Sequence, residues 1–302
     1  MLLTSWDDDT STFFNYNWHG VAWGAECSWN ASTISIEDFN SRVGAVMFGE
    51  KGDHFGKAIT LLTKTHTVKG FDYLMTPRFW QRDNGEFAVS RQLERKQNQE
   101  MLDLVNPAIE HLKAAKADAK FNADVLDYFI FAAERVKLLA TRLNSYIDAA
   151  ELYEQASYLI ADKQDIQPLI AKAITLLKEV KDEHSRLKEQ CSVLWLKEAR
   201  IYAYDWNVGS YDGLIEYYEG LISKLENAEK TYKEKGVLLP ASEVGLEIIE
   251  KAVRRTRPDR VESEPLLTDA PWSEPTFKKR VGIVIESGNV DRENQPVEVE
   301  LP

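Results

Sequence analysis

From Phe121 to Tyr153 the chain reads FNADVLDYFIFAAERVKLLATRLNSYIDAAELY. Apolar residues recur at Phe121, Val125, Phe129, Ala132, Val136, Leu139, Leu143, Tyr146, Ala150 and Tyr153. Steps of three and four place them on one side of a helix, and no Gly or Pro interrupts them. The same spacing returns at Ile166, Ile170, Ala173, Leu177, Val180, His184, Leu187, Cys191 and Leu194. Residues 162–168 separate the two stripes, with Asp165 the expected N-cap of the second helix. A third stripe, Leu214, Tyr217, Tyr218, Leu221, Leu225 and Ala228, follows an expected turn at Asn207-Val208-Gly209-Ser210 and closes at Gly236. Asn106-Pro107 is expected to interrupt or kink a further helix upstream, and a shorter helix is expected from about Ser242 to Arg255. Together these predict an antiparallel bundle of four to five long helices over residues 86–256.

The flanks read differently. Leu2 to Trp6 has the pattern of a short buried strand ending in an acidic loop. Helices are expected from Glu37 to Phe48, closed by Gly49, and from about Gly56 to His66. Residues 257–275 are rich in Pro, Glu and Asp and read as a linker. Beyond it, Val281 to Ile285 and Pro296 to Leu301 read as strands, the start of a β domain over 276–302. Two strands make no independent core, and an opening strand with nothing before it cannot bury itself. The expectation is a piece of a longer polypeptide.

Composition narrows the function classes. The formal charge is −12 with a pI near 5.1, which argues against a general nucleic-acid binder and against adhesion to an anionic membrane. No apolar run is long enough for a transmembrane helix. Cys27 and Cys191 are too few and too far apart for a disulfide framework, and the five histidines are scattered, so no metal or cofactor is expected. Gly49-Glu50-Lys51-Gly52-Asp53 lacks the Gly-Lys-Ser/Thr ending of a phosphate loop and reads as a helix cap and turn. His184, on an apolar stripe, reads as a hydrogen-bonded packing residue.

Four of the eight tryptophans fall within the first 29 residues, interleaved with carboxylates: Trp6-Asp7-Asp8-Asp9, then Trp18, Trp23, Glu26 and Trp29. A pyranose has an apolar C–H face that packs on an indole and hydroxyls that carboxylates accept from. Trp6, Asp7, Asp8, Trp23, Glu26 and Trp29 are therefore the candidate sugar-binding residues, with carbohydrate the expected partner. The competing reading makes the aromatics core and the Asp run a solvated turn.

Thr4-Ser5-Trp6-Asp7-Asp8-Asp9 followed by Gly24-Ala25-Glu26-Cys27-Ser28-Trp29-Asn30 resembles the end of the (β/α)8 barrel in family 20 glycoside hydrolases, the β-N-acetylhexosaminidases and their relatives. Leu194 to Arg200 with Tyr211-Asp212 resembles part of the helical domain that follows the barrel in some members, although Ala199 stands where Asn is expected. The resemblance implies that residues 1–85 are the C-terminal remnant of a barrel, with sites at the ends of its strands. It places Trp23 and Glu26 at the bound sugar, three positions apart where the family commonly has two, with Trp29 a further indole. The family's acid glutamate and its preceding aspartate lie earlier in the barrel, and the substrate's acetamido group is its nucleophile. No Asp-Glu pair in a strand-loop context occurs here, since Asp182-Glu183 falls inside a helical stripe. The expected class is therefore mainly α, a helical bundle between barrel strands and a β domain. The expected function is the C-terminal portion of a hydrolase for terminal N-acetylhexosamine or a related sugar, without its catalytic acid. The alternatives are a non-catalytic carbohydrate-binding protein and a helical structural or interaction protein.

Overall fold

Four helices of 28 to 34 residues carry the stripes: α5 (Arg91–Asp118), α6 (Leu126–Leu159), α7 (Gln167–Glu198) and α8 (Tyr204–Lys235). The computed structural model describes residues 13–29, 35–71, 75–83, 85–87, 90–160, 164–199, 201 and 203–250. Among these the protein is mainly helical. Cross-helix pairs set the direction of each neighbour. Arg91 meets Glu154 while Lys116 meets Asp127, so α5 and α6 run antiparallel. Arg186–Glu134 with Tyr128 bonded to the Leu194 carbonyl does the same for α6 and α7, and Lys178–Glu226 with Lys188–Asp212 for α7 and α8. The expected antiparallel arrangement of long helices is present.

Helix α6 is more deeply buried than its stripe suggests. Tyr128, Phe131, Leu138, Ala149 and Ala156, off the predicted line, are all under 5% exposed. A helix packed by α5 on one side and α7 on the other keeps only a narrow solvent face, marked by Lys137 and Thr141, and its apolar residues wrap most of the way around it. Phe121 lies before the helix and is half exposed.

Two local expectations are corrected, the turn at Asn207–Ser210 and the length of the terminal helix. Asn207 to Ser210 is no turn but part of α8. The Asn207 amide donates to the Ala203 carbonyl (3.0 Å) and the Ser210 hydroxyl to the Trp206 carbonyl (2.5 Å), while Val208 and Tyr211 are buried. Side chains with turn propensity thus bond back onto the helix, and tertiary burial keeps the helix continuous. Pro107 sits inside an unbroken α5, on an exposed side with Asp103, where water can take the carbonyl left without a donor. The terminal helix α9 spans only Ala241–Val244. Gly236 ends α8 as expected, left-handed at φ 67°.

At the amino end, α1 (Trp18–Trp29) follows a 3-10 turn at Phe14–Asn17. Helix α2 (Ile36–Phe48) starts on the Ser35 hydroxyl and ends at left-handed Gly49. Helix α3 (His54–Leu62) is shorter than expected, with a 3-10 turn at Thr65–Thr67 beyond it. Phe13, Phe39, Phe55 and Phe79 share one hydrophobic cluster with Met101, Leu126, Leu194 and Leu214, so residues on both sides of position 85 contribute to one core. A short α4 (Met75–Trp80) and a two-residue strand β1 (Glu86–Phe87) lead into α5. β1 pairs in parallel with β2 (Ile249–Glu250), the one strand pairing among the described residues. The expected barrel strand at Leu2–Trp6 and the β domain over 276–302 lie outside the described residues. Residues up to Val253 form one contact unit, and Arg254–Pro302 a second that lies beyond description. No helix among the described residues is long and apolar enough to cross a membrane.

Close packing of α2 on α3 needs a glycine. A Cβ on Gly56 would stand 2.9 Å from the Ser41 backbone N and Cα, which cannot rotate away. Gly220, inside α8, has nothing within 4 Å of its Cβ direction. Gly56→Ala is expected to cost roughly 1–3 kcal/mol by overpacking. Gly220→Ala is expected to add roughly 0.5–1 kcal/mol by removing unfolded-chain freedom. Urea unfolding of the two variants checks the opposite signs.

Candidate functional site

The aromatic and acidic residues of the amino end are the first candidates, and three of the six fall on α1. Trp23 packs edge-on against Phe39 of α2, ring centroids 4.9 Å apart, as a half-buried residue at the margin of the core. Glu26 faces Arg42 of α2 at 3.4 Å, with Arg42 more than half exposed. Trp29, at the end of the helix, is 93% exposed. Trp6, Asp7 and Asp8 lie outside the described residues. The structure thus turns Trp23 and Glu26 toward α2 and leaves Trp29 in solvent. Neither of two clefts that open among the described residues, of about 660 and 370 Å³, is lined by any of the three.

His19, the histidine nearest the cluster, is engaged as well. Its Nε2 stands 2.6 Å from Asn40 Oδ1, and the Asn40 amide donates to Thr60 Oγ1. Burial lowers the His19 pKa against a weaker opposing effect of that hydrogen bond. The start of the described chain is clamped to the far end of α7. Amides of Phe14 and Asn15 donate to the Glu198 carboxylate, and the Phe13 ring packs on Trp195, Tyr128 and Phe131. Phe14, Trp18, Leu196, Ile201 and Trp206 are each at least 41% exposed at this end.

The second constellation is buried. Arg142, on α6, is 1% exposed. Its Nη1 donates to the Phe79 carbonyl at 2.7 Å, and its Nη2 to those of Arg78 and Gln81 at 3.2 and 3.1 Å. These carbonyls end α4, so the guanidinium satisfies acceptors a helix terminus leaves open and opposes its dipole. Nε stands 3.2 Å from Asp83 Oδ2. Asp83 also accepts from Tyr218 at its carboxylate and from Tyr217 at its backbone carbonyl. Burial, with the Asp83 charge adding to it, pushes both phenols up and keeps them neutral donors.

His184 of α7 completes the layer. It is fully buried, stacks on Tyr218 with centroids 5.7 Å apart, and packs on Phe79. Its ring nitrogens have no hydrogen-bond partner among the described residues, which corrects the expectation of a hydrogen-bonded histidine. Burial first, and the Arg142 charge second, lower its pKa to about 3. Sequence reading passed over Arg142. The available signal was a charge three residues after Leu139 and four before Tyr146, on the apolar stripe itself. With buried phenols and an uncharged imidazole around it, the knot is built to hold the connection, not to transfer protons at neutral pH.

No known protein family matches the chain, and no curated protein or solved structure is significantly similar to it.

Two outcomes follow from the buried layer. Arg142→Met leaves the Asp83 carboxylate buried without its counter-ion, and is expected to cost about 3–5 kcal/mol. The double variant with Asp83→Asn is expected to cost less than the sum of the singles in urea unfolding. His184, with a folded pKa below the unfolded 6.5, makes the fold proton-sensitive. The unfolded chain binds the proton first, so its contribution is intact above pH ~6.5 and falls by about 1.4 kcal/mol per pH unit toward about 3. His184→Phe is expected to flatten that acid slope in unfolding measured across pH.

Proposed function

We propose that this chain is the C-terminal portion of a glycoside hydrolase acting on terminal N-acetylhexosamine or a related sugar. Trp6, Asp7 and Asp8 contact the sugar, and the helical body braces the barrel end. The catalytic acid lies outside this chain. The observation that supports this reading is an order of elements. The Trp6-Asp7-Asp8-Asp9 stretch is followed by a helix, α1, whose Trp23 packs against a neighbouring helix. In a (β/α)8 unit the residues just after a strand reach the ligand, and the helix that follows packs on the outside. On this reading Trp23 and Glu26 are positioning residues: they hold α1 on α2 and do not touch the sugar. The exposed apolar side chains Phe14, Trp18 and Trp206 further support it, as surface of the kind a neighbouring domain covers.

Engagement of Trp23 and Glu26 also favours a second reading, a helical interaction protein whose aromatics serve packing alone. Hydrolysis of a chromogenic N-acetylglucosaminide by the natural polypeptide that carries this sequence separates the two. Trp6→Ala and Asp8→Asn are expected to lower kcat/KM about 10- to 100-fold, the loss of a contact to a charged or stacking group. Trp23→Phe and Glu26→Gln are expected to lower Tm with kcat/KM nearly unchanged. A polypeptide that neither hydrolyses nor binds the sugar overturns the glycosidase reading and leaves the interaction protein.

A further inference from the structure

His54 opens α3 and His111 lies midway along α5, and their Nδ1 atoms face each other at 3.3 Å. We propose that these two imidazoles form a clip for one divalent transition-metal ion of the zinc, copper or nickel class. The proposal is independent of the sugar reading.

The separation is the first argument. Imidazole nitrogens bind such ions at about 2.0–2.1 Å, so two ligands of one ion stand about 2.9–3.4 Å apart as the angle between them opens from square to tetrahedral. The observed 3.3 Å lies at the tetrahedral end. Imidazole is also the neutral ligand these ions prefer. Without an ion the two nitrogens can share only a single proton, and the rings are tilted 35° from parallel.

The surroundings are the second argument. Glu50 and Asp118 interact electrostatically with His54 and Asp53 with His111, while Lys57 acts on His111 and Lys120 on Asp118. Carboxylates around the pair favour a cation held between the two rings. Asp53, held in the left-handed region at φ 54° directly before His54, has a buried Oδ1 with no partner among the described residues. Asp53 and His111 line the same cleft, with Lys57, Thr60 and Ser41, and this gives the ion a way in. No third His, Cys, Asp or Glu among the described residues closes a three-ligand cage, so the remaining positions belong to water.

The structural consequence is a bridge from α3 to α5, two elements otherwise joined by apolar contacts. Calorimetric titration of the full chain with zinc chloride, at neutral pH in a non-chelating buffer, tests the clip. One ion per chain is expected, with a rise in Tm that follows ion concentration. His54→Gln and His111→Asn are each expected to weaken binding about tenfold or more, since each removes a direct ligand. His66→Asn, at an exposed histidine, is expected to leave it unchanged. Circular dichroism shows whether each variant is folded, and the imidazole nitrogen resonances of the unmodified chain report ligation directly. No saturable binding to the folded chain, or binding that survives both substitutions, overturns the proposal. So do Nδ1 resonances that do not move on adding zinc.

Discussion

Arg142 carries a charge into the centre of a helical protein, and the rest of the fold is arranged around the need to satisfy it. Its guanidinium takes three carbonyls and one carboxylate, all supplied by residues 78–83. Removing such an ion from water costs several kcal/mol before any partner is counted, so the partners must be in place for the helices to pack. That requirement fixes the connection between α4 and α5 against α6. Tyr217 and Tyr218 then fix α8 against the same connection through Asp83. One cation thereby couples three elements whose apolar faces alone would tolerate sliding.

The polar layer also divides the interior. On α6 the first hydrophobic cluster ends at Leu143 and the second begins at Tyr146. On α7 the break falls between Val180 and Leu187, and on α8 between Leu214 and Tyr218. Arg142, His184 and Tyr218 occupy that level. A bundle of leucine-like stripes can shift by a turn with little loss, whereas a shift here would strand a guanidinium, a carboxylate and two phenols. The layer therefore acts as a register mark. Solvent exclusion at this level also explains the uncharged His184: protonation would add a second cation beside Arg142 in the same dry space.

The long helices could be read from their sequence because period and burial agree over eight or nine turns. Stripe positions such as Leu139, Tyr146, Ile170, Leu177 and Leu225 are all fully buried. Where local chemistry and tertiary burial disagree, the reading failed. Asn207, Gly209 and Ser210 carry turn propensity, yet buried Val208 and Tyr211 hold them in helix. Gly20 and Gly24 likewise lie inside α1, where Trp23 has the helical partner Phe39. Arg142 stands out in sequence only as a charge on the stripe; its partners do not, because the carbonyls come from the end of α4 and the residue beyond it, 60 or so residues away. Among the six candidate sugar residues, Trp23 and Glu26 show how residue type alone does not distinguish a ligand contact from a helix–helix contact: both meet α2.

The amino end is tied down well before the chain reaches its aromatic helix. Glu198 takes two backbone amides at Phe14 and Asn15, and the Phe13 ring is 2% exposed in the core. Trp6 precedes Phe13 by seven residues, so covalent geometry holds it within about 25 Å of that anchor, and Asp7 and Asp8 closer still. The same residues that look redundant as a site, Trp23 on Phe39 and Glu26 on Arg42, set the direction in which α1 leaves that anchor. Along α1 itself the two kinds of surface alternate: Trp23 packs on the core through Phe39, while Trp18 and Trp29 stay exposed.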